Sequence, residues 1–133
     1  MINLYVSSSS ASSRKAKEWL EANGIEFKER NIGRKPLTRD EIKQLLSLTE
    51  NGSEDIVSTR ARMYGKIKSK IDNLTLSQLI DVLVKNQELI KRPIIFNDRI
   101  MQIGFSEEDI RAFLPRSVRK QNLELMTKKA LTV

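Results

Sequence analysis

The side chains best placed for chemistry are Ser10 and Ser13, in the run Ser7-Ser8-Ser9-Ser10-Ala11-Ser12-Ser13-Arg14-Lys15. Their separation is that of a Cys-x-x-Cys pair. An apolar run, Ile2-Asn3-Leu4-Tyr5-Val6, precedes them and reads as a buried strand. The segment from Arg14 to Asn23 follows and reads as a helix, with Ala16, Trp19, Leu20 and Asn23 on one stripe. A polar turn between a strand and a helix N-terminus stabilises an anion, because unpaired helix N–H groups and the macrodipole point into it. A thiol there would be held as a reactive thiolate. Serine keeps the shape and the capping oxygen and removes the redox chemistry.

The full composition narrows the chemistry further. The chain has no Cys and no His. Disulfides, thiolate catalysis and Cys-ligated metal are excluded, and no imidazole is present to activate Ser10 as a nucleophile. No metal site and no cofactor is expected. The 133 residues suit one domain, and 39% hydrophobic residues suffice for a core. No apolar run approaches the roughly 20 residues needed to cross a bilayer. Charged Arg14 and Lys15 interrupt the N-terminal region early. A cytoplasmic protein without signal peptide or membrane contact is expected. The net charge of +7 and a pI of about 9.8 are compatible with a nucleic-acid or acidic-protein partner.

The elements that must position the serine turn follow from periodicity. The spacing predicts a strand over 2–6, a helix over about 13–23 ended by Gly24, and a half-buried strand over 25–32. Thr38-Arg39-Asp40-Glu41 is a capping box, with Leu37 and Ile42 placed as a hydrophobic staple. That helix continues through Ile42, Leu45, Leu46 and Thr49 and is expected to end at Asn51-Gly52. Ser53 is expected to cap another helix through about Thr59 and on towards Gly65. Thr75-Leu76-Ser77-Gln78 is a second capping box before Leu79, Ile80, Leu83 and Val84. Pro93-Ile94-Ile95-Phe96 reads as a strand, Asn97-Asp98 as a turn and 99–103 as the returning strand. Phe105 to Ile110 starts a helix that Pro115 interrupts, and 116–130 is a basic segment with helical character. Tyr5, Trp19, Phe27, Phe96 and Phe113 are expected in the core. The order is β-α-β, a helical insertion, then β-β-α.

That order and a set of short motifs resemble the Spx family of transcriptional regulators, in the arsenate-reductase-like (ArsC) branch of thioredoxin folds. The family opening, Ser-x-x-Cys-x-x-Cys-Arg-Lys-Ala, aligns with Ser7 to Ala16 except at the two thiols. The segments Glu29-Arg30-Asn31-Ile32, Thr49-Glu50-Asn51-Gly52, Ile56-Val57-Ser58-Thr59-Arg60, Arg92-Pro93-Ile94, Gln102-Ile103-Gly104-Phe105 and Arg111-Ala112-Phe113-Leu114-Pro115-Arg116 also look like Spx. The implied fold is α/β: one domain over 1–133, with a thioredoxin-like core at about 1–32 and 91–133 and a helical insertion at about 33–90.

The resemblance implies a non-enzymatic redox-stress regulator. It would bind the C-terminal domain of the RNA polymerase α subunit and engage promoter DNA only within the polymerase complex. It would be turned over by the ClpXP protease with a YjbH-type adaptor. The alternative is a catalytically dead ArsC- or glutaredoxin-like oxidoreductase homologue. Residue by residue, Ser10 and Ser13 occupy the switch positions. Gly52 with Asn51 would form the α-binding surface, where an ordinary helix cap is the plainer reading. Arg60 and Arg62, extended by Lys66, Lys68 and Lys70, would lie near promoter DNA, where a solvated face is the plainer reading. Arg92-Pro93 resembles the family's Arg–cis-Pro, with Arg92 able to face the 10–13 turn. The end Ala130-Leu131-Thr132-Val133 departs from the Leu-Ala-Asn type of some members. Two origins of the serine pair are open: deliberate replacement of both cysteines, and a natural paralogue that lost its thiols.

Overall fold

The computed structural model describes residues 1–114, so the expectations for 115–133 lie outside the described residues. Four strands form one mixed sheet: β1 (Ile2–Val6), β2 (Phe27–Asn31), β3 (Ile94–Phe96) and β4 (Met101–Ile103). Their spatial order is β2-β1-β3-β4. β1 runs parallel to β2, with Ile2 opposite Phe27, and antiparallel to β3, with Leu4 opposite Ile95. The parallel pair needs a crossover, and α1 (Ala11–Ala22) supplies it. The antiparallel pair β3–β4 closes through Asn97, whose Oδ1 accepts from the backbone N–H groups of Arg99 and Ile100, both at 2.9 Å.

Alternation along the strands divides the core in two. Leu4, Val6 and Ile95 face α1, where Ala16 and Leu20 meet Ile110 and Phe113. Tyr5, Ile94 and Phe96 face the opposite way, onto a larger cluster with Ile42, Leu45, Ile56, Ile80, Leu83 and Leu89. Tyr5 and Phe96 meet edge to face, with ring centroids 4.9 Å apart. Trp19 and Phe27 are only half-buried.

The helices of the second cluster begin where the capping boxes place them. α2 spans Arg39–Ser47 and α4 spans Leu76–Lys85. Both boxes are complete: Thr38 with Glu41 and Thr75 with Gln78 each bond reciprocally. Gln87 fastens this cluster to the chain entering α2. Its Oε1 accepts from the Leu37 N–H at 2.9 Å, and its Nε2 donates to the Leu37 carbonyl at 3.1 Å.

The structure corrects several expectations. α1 starts at Ala11, not near 13, because Ser10 is its cap. α2 stops at Ser47, well before Asn51-Gly52. The helix expected from Ser53 is one 3-10 turn, Gly52–Asp55. It breaks because Val57 pairs in a β-bridge with Ile90, and a tertiary partner overrides the local cap. A short helix, α3 (Arg62–Ile67), follows, and Gly65 lies inside it. The segment after Phe105 forms a 3-10 helix, Asp109–Phe113, in place of an α-helix.

Candidate functional site

The serine turn is built as an inert cap. Ser10 has extended backbone, and its Oγ accepts from the Ser13 N–H at 3.1 Å. Ser13 is 2% exposed, and its Oγ accepts from the Ser7 N–H at 3.4 Å. Asn31 Nδ2 donates to Ser8 Oγ at 2.7 Å and ties the turn to the end of β2. The hydroxyl oxygens at 10 and 13 thus accept backbone N–H bonds. A cleft of about 190 Å³ opens beside Ser13, bordered by Arg14, Lys17, Glu29 and Asn31. Lys17 pairs with Glu29 at 3.1 Å, and this bond raises the ammonium's pKa. No base reaches either hydroxyl among these groups, so the turn has the geometry of a thiol site and none of its reactivity.

Arg92 does not border that cleft, contrary to the expectation that it faces the turn. Its Nη2 donates to the Gln87 carbonyl at 2.6 Å and its Nε to the Ile90 carbonyl at 3.2 Å. Burial pushes its pKa down. The Arg92–Pro93 peptide is cis, as the resemblance implied. Arg92 shares a depression of about 520 Å³ with Ser58, Thr59, Arg60 and Lys91. The structure therefore joins Arg60 to Arg92. Arg62 does not line that depression: it opens α3, exposed, one helical turn before exposed Lys66.

Gly52 stands apart from both. Its φ is +72°, which an L side chain adopts at a cost of about 1–2 kcal/mol. A Cβ built there meets no atom within 4 Å, so the space beyond the backbone is open. Gly52 is thus no helix C-cap. It opens the 3-10 turn that follows the loop after α2. The turn is braced by Asp55, which the sequence reading overlooked. Asp55 Oδ2 accepts from the backbone N–H groups of Glu50 at 3.0 Å and Asn51 at 3.1 Å. The Asn51 amide donates to Asp55 Oδ1 at 3.4 Å. The Asn51 backbone bond is the main reason the carboxyl pKa is lowered. An Asn-x-x-x-Asp spacing was the only sequence signal for this brace.

Behind the Gly52 loop, backbone bonds join two distant segments. Lys91 N donates to the Ile56 carbonyl at 2.8 Å and Ser58 N to the Leu89 carbonyl at 2.6 Å. A groove of about 630 Å³ runs between this loop and the β3–β4 hairpin, lined by Asn51, Asp55, Lys91 and Ile100. Among the described residues, no cluster of acidic side chains could hold a metal ion, and no helix is long and apolar enough to cross a membrane.

Comparison with known proteins places this geometry. The ArsC family model matches residues 5–113. The chain is 48% identical over 130 residues to the global transcriptional regulator Spx of Streptococcus mutans, covering 98% of this chain and 95% of that protein. Among solved structures, an ArsC family related protein from Bacteroides fragilis superposes with a TM-score of 0.73 at 28% identity, covering 81% of this chain and 92% of that one. The arsenate reductase from Vibrio cholerae shares the fold with a TM-score of 0.73 at 21% identity, covering 85% and 97%.

Proposed function

The chain belongs to the ArsC family, on its branch of Spx transcriptional regulators, and on that basis we propose that it acts by binding the C-terminal domain of the RNA polymerase α subunit without a disulfide switch. The observation that carries this reading is the loop at Gly52. A positive-φ glycine with open space above it lets another protein's backbone approach where a long side chain would intrude. The exposed cations Arg60, Arg62 and Lys66 lie further along the same segment, and in this reading they are the groups that meet promoter phosphates once the α domain is bound.

Ser10 and Ser13 fix the protein in one redox-insensitive form. Their hydroxyls satisfy the same backbone donors under any potential. We propose no catalysis. A reductase of this fold needs a nucleophilic thiolate, and the chain has neither cysteine nor histidine. An arsenate or disulfide reductase assay should read background, and turnover above it would favour the oxidoreductase alternative. Delivery to ClpXP by a YjbH-type adaptor extends the same family reading.

The deciding experiment is a promoter mobility shift with this chain alone, with the α C-terminal domain alone and with both. A shift that needs both supports the proposal. Tight specific binding by the chain alone would make it a free-standing DNA-binding protein instead.

A further inference from the structure

A loop that presents a backbone to a partner is useful only if it is already ordered, because ordering it on binding subtracts from affinity. The loop between α2 and the 3-10 turn has few internal bonds of its own. α2 ends at Ser47, and the last backbone bond back to it is from the Thr49 N–H to the Leu46 carbonyl at 3.2 Å. The N–H groups of Glu50 and Asn51 then find one acceptor between them, the Oδ2 of Asp55. The very next residue is Gly52 with its positive φ. The carboxylate is therefore the clamp that holds the chain's direction into Gly52.

The clamp itself is anchored. Asp55 ends the 3-10 turn, and the residues that follow, Ile56 and Val57, are buried at 0% and 5% exposure. Val57 bridges Ile90, and Lys91 Nζ reaches the Glu54 carbonyl at 3.5 Å. The base of the loop is thus rigid, and its tip is tied to that base by one side chain. We infer that Asp55 is a positioning residue for the α-binding surface, pre-ordering Glu50, Asn51 and Gly52 for the partner without touching it. This rests on the proposal that Gly52 meets the α subunit.

An asparagine at 55 has nearly the same shape but one acceptor oxygen and no charge. With that oxygen in the place of Oδ2 it can still accept both backbone N–H bonds, more weakly without the charge, while its NH₂ faces the Asn51 amide, a second donor. Serine is too short to hold both. The test compares the full chain with Asp55→Asn and Asp55→Ser, measuring affinity for purified α C-terminal domain, amide exchange at Glu50 and Asn51, and thermal midpoint. The expected result is about tenfold weaker binding, faster exchange at those two amides, and a midpoint close to that of the unaltered chain. Adding Asp55→Asn to Gly52→Arg should then cause no further loss. If the unaltered chain binds and both Asp55 variants bind equally well, the positioning role is overturned and the Gly52 reading stands. If the variants lose binding while exchange at the two amides is unchanged, Asp55 acts by contact, and the positioning role is again overturned. If the unaltered chain does not bind at all, the Gly52 reading fails and takes this inference with it.

Discussion

Replacing Gly52 by arginine separates the fold from the interface. The backbone at 52 sits at φ +72°, so any L residue there costs about 1–2 kcal/mol. Nothing lies within 4 Å of the new Cβ, so no clash adds to that cost. For a domain of this size the expected drop in thermal midpoint is about 4–8 °C, and the protein remains folded. The arginine side chain projects into the open space where the α subunit is proposed to sit. A steric and charged intrusion at the centre of a small interface should weaken binding by more than about a hundredfold, roughly 2.8 kcal/mol. The assay is calorimetric titration with the α C-terminal domain beside thermal unfolding. Gly52→Ala is the control: it carries the same backbone cost with little reach, and should bind far better than Gly52→Arg. A folded Gly52→Arg protein that binds within about threefold of the unaltered chain refutes the reasoning. So does a Gly52→Ala protein that loses as much binding as Gly52→Arg, because the conformation would then matter and not the space.

Other outcomes follow from the same geometry. Ser10→Ala removes the acceptor for the Ser13 N–H at the start of α1 and should cost about 1 kcal/mol in denaturant unfolding, with α binding unchanged. Arg60→Ala with Arg62→Ala should weaken promoter binding by the chain–α complex and lower its salt slope by about 1 per lost phosphate contact. Unchanged salt dependence would make these a solvated face. The Asp55 carboxyl pKa is lowered on folding, so its clamp is fully present above the ordinary aspartate value of 3.8 and is lost as pH falls through the lowered value. Slow exchange at the Glu50 and Asn51 amides should therefore persist in the unaltered chain to pH below the ordinary aspartate value of 3.8. In Asp55→Asn the protection should be weaker and should show no loss tied to a carboxyl titration, and in Asp55→Ser it should be absent.

What could be read from the sequence was what local chemistry decides. The capping boxes at Thr38 and Thr75 were legible because donor and acceptor lie three residues apart. The strand at 2–6 was legible from its apolar run and the hairpin from the Asn97-Asp98 turn signal, both local features. The stretch 53–65 was misread because its structure depends on a partner far along the chain. Ser53 offers a helix cap, but Val57 has Ile90 to pair with, and the bridge wins. Gly52 was read wrongly as a helix end, since α2 stops at Ser47, and its positive φ comes instead from the turn it opens. Arg92 was expected at the serine turn. It is held instead by carbonyls of Gln87 and Ile90, which no spacing rule reveals. Asp55 escaped notice because an aspartate in a turn has no distinctive pattern until its two backbone donors are seen.

The central claim is that this Spx-family chain binds the α subunit through the Gly52 loop, with the serine turn silent to oxidation. Titration of the purified chain with α C-terminal domain, once under a thiol reductant and once under a thiol oxidant, tests it most directly. A one-to-one complex with the same Kd in both is predicted, because no disulfide can form at 10 and 13. No complex under either condition, or an affinity that follows the redox state, would contradict it.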